Sequence, residues 1–230
     1  MSLILFLLIA LIMPAPFCAK DVGYGKTFSL MLDPAGDAKY PGREIDDAFE
    51  RGVTLQYAKK VKYELETTFP DIRVIITRVP GESTEPLQNA QFANRLQVDL
   101  YVHISFFKAT EEKPQLFLWY YVYNGVTDFW HKPCNTYTLI PYDKAHLKKI
   151  ATTQNWGRQI QEMLSQGSYR NQFEVVGLYG TRYKPLVGIV GPALGIEASI
   201  KHKDDWHLYI QPFVSALASI ISRYRMQNSI

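Results

Sequence analysis

The sequence predicts one α/β domain: a mostly parallel, twisted sheet with helices on both faces. Three observations predict it. Strand-like and helix-like segments alternate along the first half of the chain, an order that implies right-handed crossovers onto a parallel sheet. Some strand segments are nearly all apolar, as expected where a sheet is buried on both faces. Finally, 230 residues with 47% hydrophobic and 20% charged side chains suffice for one well-buried core and hardly for two.

Residues 27–33 (TFSLMLD) read as a first strand, closed by Pro34 and a polar loop. An amphipathic helix begins near Glu50, with Val53, Tyr57, Val61 and Leu65 on one stripe and Lys59, Lys60, Lys62 and Glu66 opposite. Residues 72–77 (IRVIIT) form the next strand, 86–97 (PLQNAQFANRLQ) a second helix, and 99–107 (DLYVHISFF) a third strand. The polar side chains His103 and Ser105 of that strand share a face, because side chains alternate.

Residues 115–125 (QLFLWYYVYNG) are a further strand ended by Asn-Gly, with a loop or excursion after it through Asp143. The aromatic run reads as a packed strand with odd and even residues on opposite faces, although such rings also stack on the apolar faces of sugars. A helix over about 144–166 carries Leu147, Ile150, Ala151 and Leu164 on its apolar side. Residues 173–180 and 192–199 are strands, and 202–207 (HKDDWH) is a solvated loop. A last helix has Pro212 in its first turn and Phe213, Leu217, Ile220 and Tyr224 aligned.

A net charge of +3 is too small for a chain that lives on phosphate backbones, so nucleic acid is not an expected partner. The apolar run 3–13 is about half the length that crosses a bilayer as a helix, and Pro14, Pro16 and small residues follow it. Residues 1–19 therefore read as a secretory signal peptide, which implies export to the periplasm or exterior. A retained N-terminal membrane anchor competes with it, since no Lys or Arg precedes the run and Phe17 fits poorly with cleavage after Ala19 or lipid attachment at Cys18. With the leader removed, Cys134 is the one cysteine left. It cannot make an internal disulfide and reads as a partly buried thiol in a loop.

Fragments at the edges of these elements carry a resemblance. They are LDP at 32–34, ERGVTL at 50–55, Thr77 and Arg78, Leu87, Ala93 and Asn94, Asp99 and Leu100, and PALGIE at 192–197. In this order the chain from 27 to 225 resembles the zinc-dependent N-acetylmuramoyl-L-alanine amidases of the amidase-3 type. The resemblance implies a zinc held by a His after the first strand, a Glu opening the first helix and a His late in the strand 99–107. A further Glu, at the end of PALGIE, acts on the zinc-bound water.

Glu50 matches the carboxylate ligand and Glu197 the catalytic glutamate, whereas Gly36 and Ser105 stand at the two His positions and Ala90 replaces a usual Arg. Without two imidazoles, zinc is expected to be absent or weakly bound. Asp37 and His103 are the candidate replacements, although His103 lies about 7 Å along the strand from the lost ligand. Otherwise His103 is a buried strand histidine bonded to a neighbour. Glu50 would also suit a helix N-terminus without a metal. Glu197, in an apolar strand, should have a raised pKa or pair with Arg43 or Lys201. Phe106 and Phe107 are expected to narrow the cleft.

The function implied is that of an exported cell-wall protein of this family, catalytically impaired or inactive. The alternative is an active peptidoglycan amidase with zinc on Asp37, Glu50 and His103 and Glu197 as general base. Implied partners are peptidoglycan or its stem peptides and a cell-wall regulatory protein.

Overall fold

The computed structural model describes residues 27–123 and 140–228. The expectations for the leader, Cys18, Cys134 and most of the excursion after Tyr123 lie outside the described residues. The first strand, β1 (Ser29–Pro34), leads through a small antiparallel pair, β2 (Glu44–Ile45) and β3 (Ala48–Phe49), into helix α1 (Glu50–Thr68). Val53, Tyr57, Val61 and Leu65 of α1 are buried, as their spacing predicts.

Strand β4 (Arg73–Ile76) and helix α2 (Pro86–Leu96) precede β5 (Leu100–Lys108), and α2 starts on its proline, where the missing N–H costs no bond. Then come β6 (Gln115–Tyr121), α3 (Ile150–Leu164), the single turn α4 (Gly167–Arg170), β7 (Glu174–Thr181), β8 (Ala193–Ile200) and α5 (Ile210–Asn228).

The six long strands form one sheet in the order β4-β1-β5-β8-β6-β7. Every neighbouring pair is parallel except β6 and β8. The exception follows from chain length: only residues 109–114 join β5 to β6, and a parallel strand needs a crossover of about a dozen residues or more.

Alternation sorts the side chains. Even-numbered residues such as Leu32, Val102, Leu118 and Ile196 enter a large core with α1, α3 and α5. Odd-numbered Met31 and Tyr101 pack on the other face against Ala90 and Ala93 of α2.

Two expectations need correction. The helix placed over 144–166 is a 3-10 segment, Tyr142–Lys148, followed by α3. Its inward side is Thr153, Gly157, Ile160 and Leu164, while Leu147 and Ala151 are exposed. Gly157 sets that face. A side chain there would meet Leu178 at 2.9 Å, so the helix rests on the sheet through its glycine. The stretch 202–207 is not wholly solvated, since Trp206 is buried edge-on to Tyr57.

Candidate functional site

The resemblance residues converge because of register. Asp33 of β1 lies beside His103 of β5, Ser105 beside Glu197 of β8, and Glu197 beside Phe117 of β6. All are odd-numbered, so they share the α2 face of the sheet, toward the carboxyl ends of β1, β5 and β8, where ligands bind in open α/β sheets. Phe107 joins this face. Phe106 does not: it is buried in the large core against Tyr57, so only Phe107 borders the cleft. Alternation alone demands that split.

Asp33 and His103 form the buried part. His103 Nδ1 lies 2.7 Å from Asp33 Oδ2, and Asp33 Oδ1 accepts from Thr77 Oγ1 at 2.7 Å and Asn89 Nδ2 at 2.9 Å. Burial pushes the Asp33 carboxyl up, but the adjacent His103 and these bonds outweigh it and hold it below the usual carboxylate range. The opposite edge of the histidine ring region is closed by Tyr183, at 5.7 Å between ring centres. Burial also raises the Tyr183 hydroxyl, which stays neutral 3.3 Å from Ser105 Oγ.

Glu50 is a clasp. Its Oε2 accepts from the Arg43 backbone N–H at 3.0 Å and its Oε1 from the Phe106 N–H at 2.9 Å, so it ties the loop after β1 to strand β5. A side chain at Gly42 would sit 2.7 Å from Glu50 Oε2. Asp37 is equally committed: it accepts from the backbone N–H groups of Lys39, Tyr40 and Thr84 and so caps its own turn. Arg78 reaches the carbonyls of Pro34, Ala35 and Arg51 and holds this loop on α1.

Glu197 is the half-open part. Its Oε1 takes Arg43 Nη2 at 2.5 Å and its Oε2 takes Trp119 Nε1 at 3.1 Å, while Arg43 Nη1 approaches the Phe106 carbonyl at 3.4 Å. Of the two cations expected to pair with Glu197, Arg43 is the one that does. Burial works against the Arg43 charge, but Glu197 outweighs it and raises the guanidinium's pKa. The cleft of about 300 Å³ here is lined by Arg43, Phe107, Phe117, Trp119 and Glu197.

No protein-family model and no curated protein matches the sequence. Solved structures do match. An N-acetylmuramoyl-L-alanine amidase of Clostridium difficile 630 superposes with a TM-score of 0.61 at 17% identity, over 85% of this chain and 97% of that one. The amidase AmiC2 of Nostoc punctiforme gives 0.60 at 16% identity, over 86% and 97%. The CwlD amidase of Clostridioides difficile, in complex with the GerS lipoprotein, gives 0.58 at 14%, over 85% and 99%. This chain has the amidase catalytic-domain fold.

On that fold, the zinc site implied by the resemblance can be tested against the residues present. Zinc needs three protein ligands aimed at one point with a position left open. Gly36 offers none, and its φ of +74° and a would-be Cβ 2.9 Å from Arg51 Cβ and from the Pro41 carbonyl leave no room for an imidazole in this loop. Ser105 bonds the Ile196 carbonyl, and Asp37, Glu50 and His103 point at separate internal partners. Among the described residues no three His, Cys, Asp or Glu side chains gather as a metal group. The residues present do not fit zinc.

Sequence reasoning named Glu50, His103 and Asp37 as ligands, which the structure instead turns to separate internal partners, and it offered Arg43 or Lys201 for Glu197, of which Arg43 makes the contact. It missed Asp33 as the partner of His103, which the pairing of β1 with β5 would have supplied. It missed Tyr183 altogether, because a loop tyrosine carries no periodic signal.

Proposed function

We propose that this chain is an exported cell-wall protein of the N-acetylmuramoyl-L-alanine amidase family that holds peptidoglycan at its strand-end cleft without hydrolysing it. One observation carries the reading: Arg43 reaches Glu197, the residue matching the catalytic glutamate, while Glu50, the matching ligand, is spent on two backbone N–H groups. A carboxylate whose two oxygens accept from a guanidinium and an indole N–H is already engaged, and a carboxylate clasping the backbone is no longer a ligand.

The amidase fold and the leader support a place at the cell wall. A protein partner is part of the reading, in the manner of the amidase captured with a lipoprotein.

The competing reading is an active amidase with zinc on Asp37, Glu50 and His103. Elemental analysis of the purified chain, with turbidity of a cell-wall suspension followed with and without chelator, separates the two. The proposal expects sub-stoichiometric zinc, no clearing, and cosedimentation with the cell-wall pellet. Stoichiometric zinc with chelator-sensitive clearing would overturn it.

A further inference from the structure

The six-stranded sheet ends on β4 at one side and on β7 at the other, and its two edges differ. An edge strand turns every second N–H and C=O away from the sheet, and such a row pairs with another strand unless something occupies it. On β4 it is occupied. The Val74 N–H donates to Glu66 Oε1 at 3.2 Å and the Val74 carbonyl accepts from Lys62 Nζ at 2.7 Å, so α1 closes that edge with an ion pair of its own. β4 is also only four residues long.

β7 has eight residues and carries neither proline nor lysine. The Thr181 carbonyl accepts from the Val122 N–H on the β6 side, so alternation turns the backbone groups of Leu178 and Gly180 outward. Among the described residues no group bonds to them there. The irregularity in the pairing with β6 falls before Gly177, which leaves the stretch from Gly177 to Thr181 regular.

Charge selects what covers this edge. Glu174 is the one charged side chain of β7, and Arg182 follows the strand directly, resting 4.0 Å over the Tyr123 ring. Both are exposed, and among the described residues neither has an ion-pair partner. They lie four residues to either side of Leu178. Two such strands laid antiparallel about a two-fold axis at Leu178 set Glu174 of each copy against Arg182 of the other. The strand is its own complement.

We infer that β7 is a self-pairing edge, to which a second copy of this chain adds its own β7 antiparallel, making one continuous sheet. Leu178 then meets Leu178 on the axis and exchanges both backbone bonds with it. Tyr179, 43% exposed, comes opposite a glycine, Gly177, with no side chain to block its ring. The axis stands normal to the sheet, because that rotation brings two edges together antiparallel. Both α2 faces therefore stay on one side, and a dimer presents its two strand-end clefts to the same surface. The inference stands apart from the cell-wall reading and survives its failure.

Sedimentation equilibrium of the purified chain, with residue-resolved amide hydrogen exchange over the same concentrations, is the test. A concentration-dependent dimer is expected. Exchange at Leu178 and Gly180 should slow as it fills, while Val74, bonded to Glu66, should not respond. Glu174→Arg and Arg182→Glu each place like charges opposite, twice per dimer, and should weaken the dimer by about tenfold or more. The double exchange restores opposite charges and should return the dissociation constant to within about threefold of the parent. Melting curves of the single variants should match the parent, since both side chains are exposed. A monomer at every concentration would overturn the inference, including one whose Leu178 and Gly180 amides are protected by the chain itself. So would a dimer that ignores both charge reversals, or one that leaves exchange at those two amides unchanged.

Discussion

Two acid–base pairs stand on the same face of one sheet and do different work. The Asp33 and His103 side chains are 9% and 10% exposed, and Asp33 has further donors on its other oxygen. The Arg43 and Glu197 side chains are 49% and 15% exposed and border an aromatic cleft. In the first pair both oxygens of Asp33 accept from groups of the protein itself, so the pair contributes to folding. In the second, the guanidinium keeps donors in reach of solvent, so it can trade water for a ligand. The comparison shows that residue type does not tell a structural charge from a ligand-facing one; what surrounds it does.

The largest expected effect tests the buried pair. Asp33→Ala leaves His103, Thr77 and Asn89 without their acceptor and should destabilise the fold by about 3–5 kcal/mol, measured by urea unfolding. A loss no greater than that of Arg43→Ala would erase the distinction between the pairs. Next is Gly195→Ala on β8. Its Cβ would come 2.5 Å from the Tyr183 ring, and such overpacking costs about 1–3 kcal/mol. Thermal melts read that cost.

Arg43→Ala should cost about 1 kcal/mol or less, because its guanidinium is half in water, and added salt should shrink the difference from the parent. Smallest near neutrality is the acid effect. The Asp33 pKa is lowered by folding, so its stabilisation is full above the ordinary carboxyl value of about 4 and is lost as pH falls through the lower folded value. Stability measured from pH 6 downward should fall in the parent, and Asp33→Asn should flatten that part of the curve.

Much of this was legible before any coordinates. Strand and helix positions followed from periodicity, and the shared face of His103 and Ser105 from alternation. The misplaced apolar side of the 144–166 segment shows the limit. Leucine and alanine at helical spacing suggested a face, yet a glycine facing the sheet through close contact decided it. Phe106 and Phe107 show a lesser one, since the rule that separates them was at hand and only the sheet assigned the sides.

The matching fragments themselves divide along the same line. Asp33, Arg78 and Asn94 bind backbone or buried partners and hold loops in place. Gly36 and Ser105, the positions at which the resemblance implies imidazoles, carry neither an imidazole nor a carboxylate.

By itself the sequence determined the α/β alternation and the edges of most strands and helices, because these depend on residue type and local spacing. Only the tertiary structure decided that Arg43 meets Glu197, that Asp33 holds His103, and that Phe117, Trp119 and Tyr183 align into one row. Arg43 and Glu197 are 154 positions apart, Asp33 and His103 are 70 apart, and Tyr183 reaches Trp119 from outside its strand; sequence carries no measure of which distant side chains the register of a sheet will bring together.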